Sequence, residues 1–359
     1  MTWRGVRTVM VLELRQRVRT SRRYIGLAIV GLLCSGLLST VPVLASCGYI
    51  EDSPAITYRI LYDLSFCFVL GIGLIITPIL SATSINGDRA DATLAPLLAT
   101  ALRSQEIVVG KLLAAWVAAI AFLSVAGPSL LMLTVAGDSH WLVLITHLVI
   151  LTFTLGTVCA IGLGFSSLTV RPRTSTVLTY IAVAALTVGT PLATAIASPM
   201  VTGTQTQVTY YMKSSDDNDK VVCQPSPEIS TQEVTHTDRI WWMLVPNPFA
   251  ALGDATAHAP TPDLFGQSSL LKETGLDIDT MRDTQPEVTI HNACKEKDDS
   301  DNSPLIIDDF PSSSAKTTHP PFWPVSLVTL TALGAGGVIT ASKRLRVPAG
   351  RLPRGTRLA

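Results

Sequence analysis

The residues of this 359-residue chain that could do chemistry do not form the common catalytic patterns. No G-x-x-x-x-G-K-[ST] phosphate loop occurs, so the chain has no P-loop ATPase site of its own. The C-x-x-C, H-E-x-x-H and G-x-S-x-G patterns of metal sites and hydrolases are missing as well. His147 is the only imidazole in an apolar stretch, and a hydrogen-bonded structural histidine is favoured over a substrate-binding one. The sequence therefore predicts a protein that is not an enzyme and binds no metal or cofactor itself.

The most informative spacing lies in residues 83–111, TSINGDRADATLAPLLATALRSQEIVVGK. A stripe of apolar residues in this segment has charged residues on both sides. The stripe consists of Thr93, Leu94, Leu97, Leu98 and Leu102, preceded by Asp88, Arg89 and Asp91 and followed by Arg103, Glu106 and Lys111. Exposed leucines need a cover, which lipid, another part of the chain or a partner protein could supply. The segment is therefore predicted to bind one of these three rather than to catalyse a reaction.

The elements that position this segment are predicted to be membrane helices. The chain is 48% hydrophobic and 15% charged, against roughly 25% charged in soluble domains. Six stretches without Asp, Glu, Lys or Arg have the length of about 20 residues that a helix needs to cross a bilayer. They are 24–45, 64–82, 112–135, 141–163, 177–196 and 322–341. The predicted fold class is an all-α polytopic membrane protein with six transmembrane helices. This composition disfavours a disordered chain, a basic nucleic-acid binder and a disulfide-dense secreted scaffold.

The distribution of charge predicts the orientation of these helices. The chain has 27 basic and 27 acidic residues, so its formal net charge is zero. If the amino terminus is cytoplasmic, the inner segments carry 18 basic and four acidic residues, and the outer segments carry nine and 23. Positive charge stays on the cytoplasmic side. Both termini, including the basic tail 342–359, are therefore predicted to be cytoplasmic.

Residues 1–23 are predicted to form an amphipathic helix at the inner interface. Its apolar face would contain Trp3, Val6, Met10 and Leu14, and its arginines would lie near anionic lipid. The basic face consists of Arg4, Arg15, Arg19 and Arg22. A basic leader that only sets topology is the alternative. No cleavable signal peptide is expected, since the first apolar run follows this Arg-rich lead.

Residues 199–321 are predicted to form a small, acidic, partly disordered outer domain between the fifth and sixth spans, with an α+β arrangement as one option. The stretches TQTQVTYYMK and PEVTIHNACK alternate with period two, which predicts one or two strands. The run DRIWWMLVPNPFAALGDA is too short to cross a membrane, so we expect it on the outer interface or against the helix ends. Residues 214–220 and 295–303 are polar and are predicted to be mobile.

Cysteines and small residues suggest two further contacts. A Cys223–Cys294 disulfide would close a loop of about 70 residues and stabilise the outer domain by roughly 4 kcal/mol. Cys47 would then be unpaired, and other pairings are open. Small residues every four positions, at Gly156, Ala160 and Gly164, predict a face that another helix approaches closely.

With these residues in view, the chain resembles the ABC-2 type permease subunits of ATP-binding-cassette transporters. The motifs that match the family are Asp88-Arg89, Asp91, Thr93-Leu94, Leu97-Leu98, Thr100, Glu106-Ile107 and Gly110-Lys111. The leader, with Glu13, Leu14, Arg15 and Arg17, looks like the family's interfacial connecting helix. The segments GLGFSSLTVRPRTS and VPNPFAALGD and the basic tail are also similar, whereas most of 199–321 is not.

The chain departs from the family pattern at three positions of the inner segment. It has Ala92, Ala101 and Arg103 where the family usually has Gly, Pro and Ser. The change at Arg103 removes a Ser-x-x-Glu capping box, and Ser104 is the alternative cap one residue later.

The resemblance implies a half-transporter in a bacterial cytoplasmic membrane, an exporter that pairs with an identical or different second permease. Separate cytoplasmic ATPase subunits would hold ATP and Mg and bind the leader and the inner segment. The contact residues so implied are Asp88, Arg89, Asp91, Thr93, Leu94, Leu97, Leu98, Glu106 and Lys111. The alternative is a polytopic membrane anchor or sensor that acts through 199–321. A proton-coupled carrier is disfavoured because the spans contain no carboxylates.

Overall fold

The computed structural model describes most of the chain outside the first predicted span. The described residues are 2–19, 54–90, 103–136, 140–210, 212–215, 220–223, 226–259, 269–292 and 317–345. Residues 24–45, 91–102 and 346–359 therefore lie outside them. The chain forms two compact units. The first comprises Met1–Thr190, Val245–Gly275 and Pro321–Ala359, and the second comprises Pro191–Leu244 and Leu276–Pro320.

The helices follow one another along most of the described chain. The amino-terminal helices are α1 (Trp3–Arg19), α2 (Pro54–Ser81), the short α3 (Asn86–Ala90), α4 (Ser104–Ala136) and α5 (Trp141–Leu168). Helix α6 (Pro172–Ala184) continues through a π-helical turn (Ala185–Gly189) into α7 (Thr190–Ala197). The remaining helices are α8 (Pro248–Ala257), α9 (Leu270–Thr280) and α10 (Trp323–Arg344).

Among the described residues, five helical segments are long and apolar enough to cross a membrane. They are Arg59–Arg89, Ser104–Ala136, Trp141–Leu168, Pro172–Val201 and Trp323–Arg344. They match the second to sixth predicted spans, while the first predicted span lies outside the described residues. The protein is thus mostly helical and has the character of a multi-pass membrane protein.

Helix α2 is longer than its charge-free stretch predicts. It begins at Pro54, ten residues before the predicted start, and includes Arg59 and Asp63. Asp63 is only 2% exposed, and the cost of burying it is offset because its carboxylate accepts a hydrogen bond from the Leu271 amide at 3.0 Å. This amide lies in the first turn of α9, where backbone N–H groups have no partner within their own helix.

Successive long helices run in opposite directions. As a result, one end of the first unit contains α1, α3, the start of α4, the turn between α5 and α6, and the end of α10. We call this part of the first unit the Lys111 end. A buried apolar cluster there joins the residue before α3 to α4, α5 and α10, and it is formed by Ile85, Val108, Leu163, Ala341 and Leu345. The same segments are those that the charge distribution assigns to the inner side.

Helices α5 and α10 approach closely through small residues. A β-carbon on Gly164 would lie 2.9 Å from the Cα atom of Gly337, and a β-carbon on Gly337 would collide with the carbonyl group of Ala160. Ala160 and Gly164 therefore lie on the face that α10 approaches, as their spacing predicts.

Gly156 makes a different contact from the other two small residues of α5. A β-carbon there would lie 3.0 Å from the indole Nε1 of Trp116 in α4. That Nε1 donates a hydrogen bond to the carbonyl oxygen of Thr152 at 2.8 Å. Gly156 thus makes room for an aromatic side chain, and the four-residue repeat serves two neighbouring helices.

The second unit contains a small mixed sheet. Its strands are β1 (Thr202–Tyr210), β2 (Met212–Ser215), β3 (Lys220–Cys223), β4 (Glu228–Thr235) and β5 (Val288–Asn292). The order β4-β1-β5 has β1 antiparallel to β4, with Thr202 opposite Thr235, and parallel to β5, with Thr206 opposite Val288. Strands β2 and β3 form a separate antiparallel pair.

Strands form in both stretches whose alternation predicts them, but the sheet is larger than predicted. The prediction of a mobile 214–220 is wrong at its ends, since Ser214 and Ser215 belong to β2 and Lys220 begins β3. Cys223 ends β3, but its side chain and Cys294 lie outside the described residues, so the disulfide stays a prediction.

The α5–α10 contact gives a test with a matched control. Gly337→Ala should destabilise the protein by about 1–3 kcal/mol, because the new methyl group overpacks the contact with Ala160. Gly336→Ala meets no atom within 4 Å and should be neutral or slightly stabilising, since alanine favours helix. Thermal unfolding of the two variants in detergent measures the difference. Equal midpoints would contradict the close approach.

Candidate functional site

The centre of the site is the ammonium group of Lys111 in the second turn of α4. This side chain is only 2% exposed. Its Nζ donates to Glu13 Oε2 of α1 at 2.9 Å and pairs with Asp88 Oδ2 of α3 at 2.6 Å. One buried cation therefore ties together three segments that are far apart in sequence. Removing one partner from such a pair leaves an uncompensated buried charge, which is strongly destabilising.

Gly110 lets α1 approach α4 at this point. A β-carbon on Gly110 would lie 2.7 Å from the Cβ atom of Val9 and 3.0 Å from the carbonyl oxygen of Val6. Both valines are buried, with exposed fractions of 4% and 0%. The Gly110-Lys111 dipeptide therefore supplies both the space for α1 and the charge that holds it.

Helix α1 packs one of its faces against α4. Of the residues predicted to form its interfacial apolar face, Val6 is buried and Trp3 is 68% exposed. The face against α4 contains Val6 and Val9 and continues through Glu13 and Arg17, whose side chains are 13% and 14% exposed. The face of α1 that packs against α4 is therefore apolar only in its first half, and an ion pair between Glu13 and Arg17 occupies its second half.

Glu13 is held in its ionised form. Burial would raise the pKa of this carboxyl, but the Lys111 ammonium, together with the Arg17 guanidinium 3.3 Å away, brings the pKa below its ordinary value of 4.5. A charged Glu13 is the form that Lys111 needs as a partner. The remaining connecting-helix residues, Leu14 and Arg15, are half-buried and exposed respectively.

Glu106 fastens the beginning of α1. This carboxylate is 3% exposed, and its Oε1 accepts hydrogen bonds from the backbone N–H of Thr2 at 2.5 Å and from the Thr2 hydroxyl at 3.0 Å. Its Oε2 accepts from the Arg103 N–H at 3.1 Å. Helix α4 begins at Ser104, so Arg103 occupies the cap position and Ser104 does not cap the helix. The glutamate half of the capping box persists without its serine.

The turn between α5 and α6 positions α3. The Ser166 hydroxyl accepts hydrogen bonds from the N–H groups of Ile85 and Asn86 at 3.0 and 3.1 Å, and donates to Asn86 Oδ1 at 3.1 Å. The Ser175 hydroxyl donates to the Ala82 carbonyl at 2.6 Å. The segment GLGFSSLTVRPRTS thus fixes where Asp88 lies.

The predicted contact residues fall into three groups. Glu106 and Lys111 are buried inside the protein, whereas Asp88 and Arg89 are half-buried. The third group lies outside the described residues and consists of Asp91, Thr93, Leu94, Leu97 and Leu98. Of the predicted set, the structure therefore brings together Asp88 and Lys111 with Glu13 and Arg17.

His147 lies at the opposite end of the helices, between α2, α5 and α8. It is fully buried; its Nδ1 lies 3.3 Å from the Tyr62 hydroxyl and its Nε2 lies 3.0 Å from the Thr256 hydroxyl. The ring of Phe66 packs edge-on against it at 4.9 Å. This arrangement agrees with the interpretation of His147 as a hydrogen-bonded structural residue.

Helix α8 is fixed by a polar contact that the sequence did not reveal. Pro191 has no N–H for the carbonyl group of Thr187, four residues earlier. The Asn247 side chain donates to that carbonyl at 3.0 Å and to the Thr190 hydroxyl at 2.9 Å. Asn247 Oδ1 also accepts from the Phe249 N–H at 2.8 Å and so caps α8. The Asn-Pro pair in VPNPFAALGD was the available signal, since Pro follows many helix caps.

Asp254 joins α8 to the beginning of α10. This fully buried carboxylate accepts hydrogen bonds from the N–H groups of Phe322 and Trp323 at 2.7 and 2.8 Å. A negative group at a helix amino terminus is stabilised by the helix dipole. The run DRIWWMLVPNPFAALGDA therefore packs in part against helix ends, which was one of its two predicted placements.

Neither a protein-family model nor a curated protein sequence matches this chain. Within the described part of the chain, no three His, Cys, Asp or Glu side chains are grouped so that they could hold a metal ion. The Lys111 end, with its buried ion pairs and the motifs that it contains, is therefore the candidate functional site.

The Lys111 ion pairs give the second test. Lys111→Met leaves two carboxylates without their cation and should weaken the attachment of α1 by about 3 kcal/mol or more. Hydrogen exchange of the α1 amides should then be faster, as measured by mass spectrometry on the full-length protein. Lys343→Met, which removes an exposed lysine, is the control. Unchanged α1 protection in the Lys111 variant would contradict the tether.

The lowered pKa of Glu13 predicts a pH dependence. Its charge contributes stability above its ordinary pKa of 4.5, and this contribution is lost as the pH falls through the lowered pKa of the folded protein. We therefore expect wild type to unfold at a higher temperature than Glu13→Gln at pH 6, with the difference shrinking below pH 4.5. A difference that is constant from pH 6 to pH 3 would count against the pair.

Proposed function

We propose that this chain is the transmembrane permease subunit of an ABC transporter of the ABC-2 type, working as an exporter. In this proposal residues 24–45 supply a sixth membrane helix and both termini are cytoplasmic. Support comes from the five apolar helices and from the grouping at one end of the segments that carry the excess positive charge. The chain has no phosphate loop, so ATP and Mg are held by separate subunits.

The observation that carries the proposal is the pair of ionic contacts of Lys111, with Glu13 and with Asp88. These contacts join the leader helix, the inner segment and the start of the third predicted span into one body. A transporter driven by separate ATPases needs such a body, because force applied at the cytoplasmic face must reach several helices together. Movement of α3 would be transmitted to α1 and α4 through a single buried ammonium.

The burial of individual residues divides their roles within this proposal. Glu13, Glu106 and Lys111 are positioning residues, since their charges are satisfied inside the protein. We assign the ATPase contact to the other residues of the segment that the family resemblance implies. These are Asp88, Arg89, Asp91, Thr93, Leu94, Leu97 and Leu98. Charged residues on both sides of the leucines would set the docking register.

Closure of the ATPases around nucleotide would push on this body and bias the helices between two arrangements. The segment Pro172–Val201 is the least covered of the five, with 11% of its most apolar stretch buried. In the proposed transporter this surface contacts lipid and a second permease subunit, identical or different. The translocation path would then form between the two subunits.

The proposal predicts the effect of a leucine substitution. Leu97→Asp combined with Leu98→Asp should abolish co-purification of the ATPase, because charged side chains replace the apolar contact. Insertion into the membrane should be unchanged, as measured by the yield of detergent-extracted protein. Ile229→Asp combined with Ile290→Asp is the matched control, since these exposed isoleucines lie on the sheet of the second unit.

In the control variant, the ATPase should co-purify as in wild type. Undiminished co-purification with the Leu97 and Leu98 variant would contradict the assigned contact. Absence of any ATPase from the wild-type preparation would favour the anchor or sensor.

A further inference from the structure

The face of α1 that points away from α4 carries three exposed arginines, Arg4, Arg7 and Arg15. At 100° per residue they lie about 180° around the helix from Val6, Val9 and Glu13, which pack against α4. The arginines line a groove of about 820 Å³ together with Thr8 and Leu12. We call this surface the arginine face.

The positive charge of the arginine face is not neutralised by α1 itself. Glu13 is the only acidic residue of α1, and its carboxylate is engaged by Lys111 and Arg17 on the opposite side. In the part of the chain that the structure describes, none of the three arginines makes an ion pair. Three guanidinium groups in one groove favour a ligand with negatively charged oxygens.

The attachment of α1 sets the level of the arginine face along α4. Val9 contacts Gly110 and Glu13 binds Lys111, directly before the charge-free stretch 112–135. If α4 crosses a bilayer, α1 lies beside it where the apolar core ends and the phosphate groups of the lipids begin. A face turned away from α4 at this level points sideways into the headgroup layer.

Apolar side chains flank the arginine face. Trp3 is 68% exposed and Leu12 is 43% exposed. Tryptophan and leucine beside arginine are typical of helices that lie in a membrane interface, with the apolar groups among acyl chains and the cations at the phosphates.

We propose that the arginine face binds the phosphate groups of anionic phospholipids and so anchors α1 in the inner leaflet. The inference goes beyond the transporter assignment and needs only that α4 crosses a membrane. A protein partner for the same face is the competing occupant. The position of the arginine face along α4 and the exposed Trp3 favour lipid over a protein as the occupant.

The test uses the full-length protein in neutral detergent, titrated with phosphatidylglycerol and, separately, with zwitterionic phosphatidylcholine. Bound lipid is counted by native mass spectrometry. The variant Arg4→Gln/Arg7→Gln/Arg15→Gln should bind phosphatidylglycerol at least about tenfold more weakly than wild type, since each arginine near an anionic surface contributes roughly fivefold. Phosphatidylcholine binding should be the same in both proteins.

Two further variants make the result specific. Arg171→Gln/Arg173→Gln/Arg344→Gln removes three other exposed arginines of the Lys111 end that do not line this groove, and it should weaken phosphatidylglycerol binding less than the first variant does. Arg4→Lys/Arg7→Lys/Arg15→Lys keeps the charge and should bind better than the glutamine variant. Equal phosphatidylglycerol binding by wild type and the first variant overturns the proposal. The proposal is also overturned if the first variant and the control lose phosphatidylglycerol binding to the same extent. If the first variant binds lipid as wild type does but no longer co-purifies with an ATPase, the arginine face contacts a protein instead.

Discussion

The requirement that a buried ammonium group must have counter-charges governs the Lys111 end. Desolvating a lysine is costly, and the cost is offset only where carboxylates are held at short distance. Lys111 therefore fixes Glu13 and Asp88, and through them it fixes α1 and α3 on α4. A side chain at position 110 would collide with Val9, because α1 packs closely against α4 at this point. Two ion pairs of one buried cation therefore hold the three segments against one another.

At the opposite end of the helices, the groups that need partners are backbone N–H and carbonyl groups. Helix ends and proline kinks leave N–H and carbonyl groups without partners, and in apolar surroundings side chains from other helices must satisfy them. Asp254 does so for α10, Asp63 for α9, and Asn247 for the carbonyl group opposite Pro191. Polar contacts between helices thus occur at both ends of the helices, and the contact between α5 and α10 is made by small residues.

Local signals and long-range contacts differ in how well the sequence predicts them. Charge-free length predicts helices at the second to sixth spans, and the spacing of Ala160 and Gly164 predicts the close approach of a helix. Gly110 and Lys111 were recognisable as a motif, but the partner Glu13 lies 98 residues away and no local pattern specifies it. Trp3 of the predicted apolar face is 68% exposed, and the placement of that face at the membrane interface stays a prediction. Strand β4 has polar residues on both faces and so lacks alternation.

We propose that the Lys111 end is the coupling surface of a permease driven by separate ATPases. The most direct measurement is to purify the tagged, intact complex from its native membrane, identify its subunits by mass spectrometry and assay nucleotide hydrolysis. We expect a subunit with a Walker-type phosphate loop in fixed ratio to this chain, and ATP hydrolysis in the preparation. A complex that stays intact during purification yet contains no ATPase subunit would contradict it.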